Sequence, residues 1–216
     1  MAGHRDSSLR IPSPVIVTIS NEYGSGALAV AERAARALGY DYVDRQLPVV
    51  VAKRLHITPE AVEASEDSQR TLGELLLDGL ERATPELAQA AAAEPLDEEL
   101  VAAVAAAVQE YAAKGNCVIV GRGASAILGP RPDVLRVFMH APREWRVAHV
   151  VETTHVRRGV AEAEIERVDR ARIAHIRQWY GPAFGDPQNY DLCIDTSRLS
   201  AAQSAASIVA AVQARA

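Results

Sequence analysis

The stretch that most constrains the fold of this chain runs from residue 15 to residue 38. It opens with five β-branched residues, Val15-Ile16-Val17-Thr18-Ile19, which is typical of a buried strand because branched side chains pack well on a pleated surface. A polar turn with two glycines follows. Apolar residues then recur at the 3.6-residue spacing of a helix: Leu28, Ala31, Ala35 and Leu38. The pattern predicts a strand, a glycine-rich turn and a helix in direct succession.

A turn of this kind can hold a phosphate, because its backbone N–H groups can point inward and the helix N-terminus adds partial positive charge. The residues that would make these contacts are Tyr23, Gly24, Ser25, Gly26 and Ala27. The full motif, GxxxxGK[ST], also carries a lysine for the phosphates and a hydroxyl for Mg²⁺. Here Ala27 stands at the lysine position and Leu28-Ala29 stand where the hydroxyl would be. A plain strand–helix turn with two glycines therefore stays an alternative.

Composition and charge exclude several classes of protein. The chain has 216 residues, enough for one α/β domain, and a net charge of −5 argues against a nucleic-acid partner. No apolar run is long enough for a membrane span, and residues 1–14 lack the apolar core of a signal peptide. We expect a soluble, cytoplasmic protein with a disordered segment over residues 1–14. Cys117 and Cys193 both lie in apolar runs, which predicts two reduced core thiols and no zinc or disulfide spacing.

Four further strands are predicted, each followed by helical sequence. They fall near residues 41–44, 116–121, 134–139 and 189–196, with a helical insertion over about 58–97. Alternating strands and helices predict a five-stranded parallel sheet covered by helices on both faces.

Polar residues at the ends of two of these strands are candidates for ligand binding, because ligands of open parallel sheets bind at the carboxyl edge. Asp44 and Arg45 end the second strand, although Asp44 is equally suited to capping the next helix. Arg122 lies between two glycines at the end of the third strand. That setting favours a phosphate ligand for Arg122 over the alternative of a solvated surface arginine.

Residues 153–180 form the most charged region of the chain. Asp169 and Arg172 are spaced i,i+3 and would share one face of a helix. Two interpretations stay open: a solvated, salt-bridged helix, or a lid that brings guanidinium groups onto transferring phosphates.

In this order and spacing, the motifs resemble the cytidylate-kinase-like family of P-loop nucleoside monophosphate kinases. The segments that carry the resemblance are Ile19-Ser20-Asn21-Glu22-Tyr23-Gly24-Ser25-Gly26, Tyr42-Val43-Asp44-Arg45, Cys117-Val118-Ile119-Val120-Gly121-Arg122-Gly123, Val137-Phe138-Met139-His140-Ala141-Pro142, Asp169-x-x-Arg172 and Asp186-Pro187-x-Asn189-Tyr190-Asp191-Leu192. Together they cover the chain from about residue 15 to its C-terminus.

The resemblance implies a three-layer P-loop kinase-like domain over residues 15–216. Its insertion at 58–97 would close over the acceptor nucleotide and its lid at 153–180 would close over ATP. By the same resemblance, the catalytic residues would be Arg122, Asp169 and Arg172. Arg146 would join the glycine-rich turn in binding ATP, and Asp44, Arg45 and Arg122 would bind the acceptor.

The departures from the family pattern concern positive charge. This chain reads Gly-Ser-Gly-Ala-Leu-Ala where cytidylate kinases read Gly-Ser-Gly-Lys-Gly-Thr, and it has His149 where the family often has an arginine. Mg²⁺ would be held by water, by the nucleotide, or by Asp44 or Glu22; otherwise Glu22 shapes the loop through a hydrogen bond or ion pair. No residues are assigned as dedicated metal ligands.

Two functions follow from this pattern. The first is weak ATP-dependent phosphoryl transfer, with Mg²⁺ as a candidate cofactor, to a nucleoside monophosphate or similar small phosphorylated ligand. The second is a catalytically inactive relative that binds a nucleotide or a protein partner as a sensor or scaffold. The acceptor base and the oligomeric state, monomer or homodimer, stay open.

Overall fold

The computed structural model of the protein describes residues 15–44, 46–59, 62, 96–181 and 183–215. In these ranges the strands are β1 (Ile16–Asn21), β2 (Asp41–Val43), β3 (Cys117–Val120), β4 (Val134–His140) and β5 (Leu192–Asp195). The helices are α1 (Ala27–Leu38), α2 (Gln46–Leu55), α3 (Leu96–Lys114), α4 (Ala124–Leu128), α5 (Arg143–Thr154), α6 (Arg158–Trp179) and α7 (Ala201–Gln213). All neighbouring strands pair in parallel, in the order β2-β3-β1-β4-β5.

The side chains of β1 divide the core into two halves, because successive residues of a strand point to opposite faces. Val17 and Ile19 pack with residues of α1 and α7 on one face. Ile16 packs with residues of α2, α3 and α4 on the other. The sheet is thus the middle of three layers, which confirms the predicted fold class.

The two central strands β1 and β3 send their connections to opposite faces of the sheet. Helix α1 follows β1 onto one face, and α4 follows β3 onto the other. A crevice opens at the carboxyl ends of neighbouring strands that diverge in this way, and ligands of open α/β sheets bind there. A hydroxyl chain joins α4 to β1 beneath this crevice: Ser20 donates to Ser125, and Ser125 donates to Thr18.

Several predicted boundaries shift, and some predictions lie outside the described residues. The last strand begins at Leu192 rather than at residue 189, because Pro187–Asn189 forms a short 3-10 helix capped by Asp186. The disordered segment proposed for residues 1–14, the substrate-binding role of Arg45 and most of the 58–97 insertion fall outside the described part of the chain.

The prediction of two core thiols is half wrong. Cys117 is buried in the central sheet, and burial raises the pKa of its thiol to about 11. Cys193 is exposed, because β5 is the edge strand of the sheet and turns this side chain outward. An apolar sequence run did not distinguish an edge strand from a central one.

Helix α6 covers most of the charged region 153–180 and has two different faces. Ala161 and Ile165 pack with Val147 and Val150 of α5. The outward face carries exposed ion pairs: Arg158–Glu162, Arg167–Glu164 and Arg170–Glu166. The salt-bridged interpretation therefore holds for the outer face, whereas Asp169 and Arg172 turn inward. None of the helices in the described ranges is long and apolar enough to cross a membrane.

Candidate functional site: a cavity between two glycine turns

A cavity of about 540 Å³ lies at the carboxyl ends of β1 and β3. The glycine-rich loop after β1 and the turn after β3 form two of its walls, and α5 and α6 form the others. The lining residues that matter below are Gly24, Gly26, Asp44, Arg122, His149 and Arg172. The cavity therefore brings together groups from five separate parts of the chain.

The glycine-rich loop presents backbone N–H groups to this cavity. Gly24 and Gly26 have φ of 79° and 75°, a region that L side chains rarely adopt, and Gly26 is the N-cap of α1. No side chain caps that helix, so its first N–H groups lack partners within the helix. Two other N–H groups of the loop already have acceptors within the protein. The N–H of Tyr23 donates to Asp169 at 2.8 Å, and the N–H of Ser25 donates to the carbonyl of Glu22 at 3.2 Å. Within the described residues, the N–H groups of Gly24 and Gly26 have no protein acceptor.

The loop is clamped against α5. A Cβ on Gly24 would lie 2.8 Å from Cγ2 of Val150 and 3.2 Å from the carbonyl oxygen of Arg146. Any side chain here would therefore push the loop off the helix, so glycine is required for the close approach as well as for the backbone conformation.

Arg146 lies behind the loop rather than in the cavity. The residue is 7% exposed, and its guanidinium donates to the carbonyls of Ala141 and Tyr23, at 3.1 and 2.9 Å, and to Asp169 at 2.6 Å. Glu22 lies 3.3 Å away and also accepts from the N–H of Ala141, which confirms that Glu22 shapes the loop through an ion pair. These contacts hold the guanidinium against the loop, and Arg146 is not among the residues that line the cavity; a direct contact with ATP stays a prediction.

Asp169 and Arg172, both on α6, make different contacts: Asp169 with the loop and Arg172 with the cavity. Asp169 accepts from the N–H of Tyr23 and pairs with Arg146, so its carboxylate is turned toward the loop instead of the cavity. Arg172 lines the cavity, donates to the carbonyl of Asn21 at 3.3 Å, and places its guanidinium carbon 5.9 Å from the centre of the Tyr23 ring. Of the pair expected to be catalytic, Asp169 contacts the loop and Arg172 lines the cavity.

Arg122 lies in the turn after β3, which forms another wall of the cavity. Arg122 has a φ of 58°, and its neighbours Gly121 and Gly123 have φ of 68° and 65°. The N–H of Gly121 donates to Ile19, which fixes the turn to β1. A non-glycine residue in the left-handed region costs about 1–2 kcal/mol. Such strain at a site often serves function, and Arg122 lines the cavity.

Two further residues lie near the turn after β3: Asp44, which the sequence predicted as a site residue, and Tyr180, which it did not. Asp44 lines the wall after β2, and the hydroxyl of Tyr42 lies 3.4 Å from its carboxylate. The ring of Tyr180, at the end of α6, covers the turn: a Cβ on Gly123 would lie 2.7 Å from its Cε2. The sequence carries no signal for this contact, because 57 positions separate the two residues.

Metal ligands are sparse in this region. Over the ranges that the structure describes, no group of three or more histidine, cysteine, aspartate or glutamate side chains could hold a metal ion. Among those residues, Asp44 is the carboxylate on the cavity wall.

Comparison with known proteins decides the family. The model of the cytidylate kinase-like family matches residues 16–198. This chain belongs to the cytidylate kinase-like family. The match spans both glycine turns, α5, α6 and β5, so the cavity lies entirely within the part of the chain that defines the family. No curated protein matches the chain.

Solved structures of similar fold support the architecture of this family member. An uncharacterized protein from Eubacterium ventriosum ATCC 27560 aligns with a TM-score of 0.65 at 19% identity, covering 92% of this chain and 98% of that one. TT1252 from Thermus thermophilus aligns at 0.53 and 18% identity, covering 93% and 97%. A shikimate kinase from Acinetobacter baumannii, in complex with shikimate, aligns at 0.51 and 11% identity, covering 94% and 95%. At these identities the likeness concerns the fold alone.

Proposed function

We propose that this protein is a weak, ATP-dependent phosphotransferase that acts on a nucleoside monophosphate or a similar small phosphorylated acceptor. The observation that carries the proposal is the meeting of Arg122 and Arg172 in one cavity with the open N–H groups of the glycine-rich loop. Three sources of positive potential from separate elements suit a ligand with several phosphate charges.

Each group has a distinct role in this proposal. ATP, when bound, supplies the phosphoryl group that is transferred. The loop N–H groups and the N-terminus of α1 hold its phosphates. Arg122 binds the acceptor phosphate, Arg172 stabilises negative charge on the transferring group, and Asp44 contacts the acceptor. Arg146 and Asp169 hold the loop in the shape that these contacts need.

The proposed activity is weak because the loop lacks two groups that phosphoryl transfer ordinarily uses. Ala27 supplies no cation, and Leu28 and Ala29 supply no hydroxyl for Mg²⁺. In a site enclosed by protein, charges interact more strongly than in water, so the loss of each positive charge weakens the stabilisation of the phosphates more. Mg²⁺ would be held by the nucleotide and water, with Asp44 as the protein carboxylate within the cavity.

The same missing groups favour a second candidate, a non-catalytic member of the family. The backbone cradle does not depend on a lysine, so nucleotide binding can persist where transfer is lost. Such a protein would report the presence of a nucleotide to a partner instead of consuming it.

A coupled ADP-release assay with CMP, dCMP, UMP and AMP, run beside calorimetric titration with ATP and each acceptor, separates these candidates. We expect turnover well below the ~1–100 s⁻¹ of ordinary kinases, and loss of turnover in Arg172→Ala. Arg170→Ala is the matched control, because Arg170 lies on the same helix and pairs with Glu166 on its exposed face. ATP binding without turnover would support the non-catalytic candidate. Absence of both would overturn the proposal, and ordinary kinase turnover would overturn the claim of weak activity.

A further inference from the structure

His149 lines the cavity but has no role in the function proposed above. It lies on α5, three residues after the buried Arg146, and lines the cavity together with Gly24 and Gly26. Arg146 is held by Glu22, Asp169 and two carbonyls and so does not reach the ligand side of the loop. His149 is therefore the ionisable side chain that α5 presents to the cavity.

The imidazole of His149 is placed against the start of α1. Its Nε2 lies 3.3 Å from the position that a Cβ on Gly26 would take, with Cε1 and Cδ2 slightly farther away, at 3.8 and 3.9 Å. The ring therefore turns its Nε2 edge toward the residue where the open N–H groups of the helix converge. Within the described residues, neither ring nitrogen has a hydrogen-bond partner from the protein.

Trp145 holds the plane of this ring. The two rings are stacked with centroids 5.0 Å apart and planes 14° apart. The stack limits the rotation of the imidazole, and an indole face is compatible with a cationic ring beside it. The histidine is thus both oriented and able to carry charge at the loop.

We propose that His149 is the phosphate-binding cation of the glycine-rich loop, in place of the lysine that Ala27 replaces. Its protonated Nε2 donates to a phosphate held by the N–H groups of Gly24 and Gly26. The proposal rests on the proposed function of the cavity. Because an imidazole gains its charge as pH falls from about 8 to about 5, anion binding strengthens over that window and weakens as pH rises through it.

Other charged groups surround this position and bear on any pH effect. They are Glu152 on α5, Glu22 and Arg146 behind the loop, Asp169, Arg172 and His175 on α6, Arg122 after β3 and Asp44 after β2. The arginines stay charged throughout, and Glu22 and Asp169 are paired with Arg146. His175 is the second cavity histidine, so its titration has to be separated from that of His149.

The test is a titration of the histidine ring signals by NMR between pH 5 and 8.5, with and without sulfate, paralleled by calorimetry with sulfate and with ATP. Sulfate keeps its two negative charges across this range, so any pH dependence of its binding comes from the protein. We expect sulfate to raise the pKa of His149, and wild type to bind roughly tenfold more tightly at pH 6 than at pH 8.

Three variants make the assignment specific. His149→Gln should lose most of the pH dependence, His149→Lys should bind tightly at both pH values, and His175→Gln should keep the pH dependence of wild type. The proposal is overturned if sulfate leaves the pKa of His149 unchanged, or if His149→Gln keeps the full pH dependence. If sulfate raises that pKa but ATP binds at no pH, the anion site stands and the proposed nucleotide function falls.

Discussion

At position 122 the backbone conformation favours glycine, whereas the proposed function favours the arginine that is present. Its positive φ is a conformation that glycine adopts without cost, and both its neighbours are glycines. A glycine at this position would relieve strain, yet it would remove an arginine that lines the cavity together with Arg172. The cavity, rather than the fold, therefore explains why an arginine occupies the turn.

Arg122→Gly is expected to leave the fold intact, raise the free energy of unfolding by about 1 kcal/mol, and weaken acceptor binding. The control is His155→Gly, because His155 also has a positive φ, of 59°, and ends α5 outside the cavity. It should gain similar stability without a change in binding. Chemical denaturation and calorimetry measure the two effects. Unchanged acceptor binding in Arg122→Gly would remove Arg122 from the site.

For single residues, the sequence predicted which ones lie near the cavity better than it predicted what each side chain contacts. Arg122 was recognisable because two glycines and a strand end flank it. The family resemblance assigned Arg146 to ATP binding, and no pattern in the sequence reveals that Glu22 and Asp169 enclose its guanidinium. His149 had a usable signal, its place one turn beyond Arg146, whereas Tyr180 had none.

Among the elements, α6 has the most direct link to the loop. Its apolar residues pack on α5, and Asp169 accepts the N–H of Tyr23 while pairing with Arg146. The helix thus fixes the back of the loop with one side chain and faces the cavity with another, Arg172. A movement of α6 relative to α5 would change both contacts together.

Asp169→Asn is expected to lower the free energy of unfolding by roughly 1–3 kcal/mol, because a charge is removed from beside the buried Arg146. Nucleotide binding should weaken as well, since the loop loses an anchor. Glu166→Gln, on the exposed face of the same helix, should change stability by less than about 0.5 kcal/mol and leave binding unchanged. Equal effects of the two substitutions on binding would contradict the positioning role of Asp169.

The boundaries and faces of elements were partly predictable from the sequence. β-Branched runs and glycine punctuation located the five strands, because local pattern determines those features. The exposure of Cys193 was missed, because strand order depends on long-range pairing that no short window contains. Of the two interpretations of residues 153–180, the salt-bridged helix describes the outer face of α6, and the lid stays a prediction.

On the scale of the whole molecule, topology places the site. β1 and β3 are adjacent, their connections leave to opposite faces, and the two glycine turns therefore meet at one crevice. Residues nearly 100 positions apart in the sequence, Gly26 and Arg122, line a single cavity as a result. The α/β pattern predicted the parallel sheet, and the resemblance to the family predicted that these turns belong to one site.

The most direct test of this account is a crystal structure of the protein grown with ATP or soaked in sulfate. We predict an anion about 3 Å from the N–H groups of Gly24 and Gly26, the distance of an N–H···O hydrogen bond, with Arg172 turned toward it. A loop whose N–H groups are all satisfied by protein atoms, or a nucleotide bound elsewhere on the surface, would contradict the account.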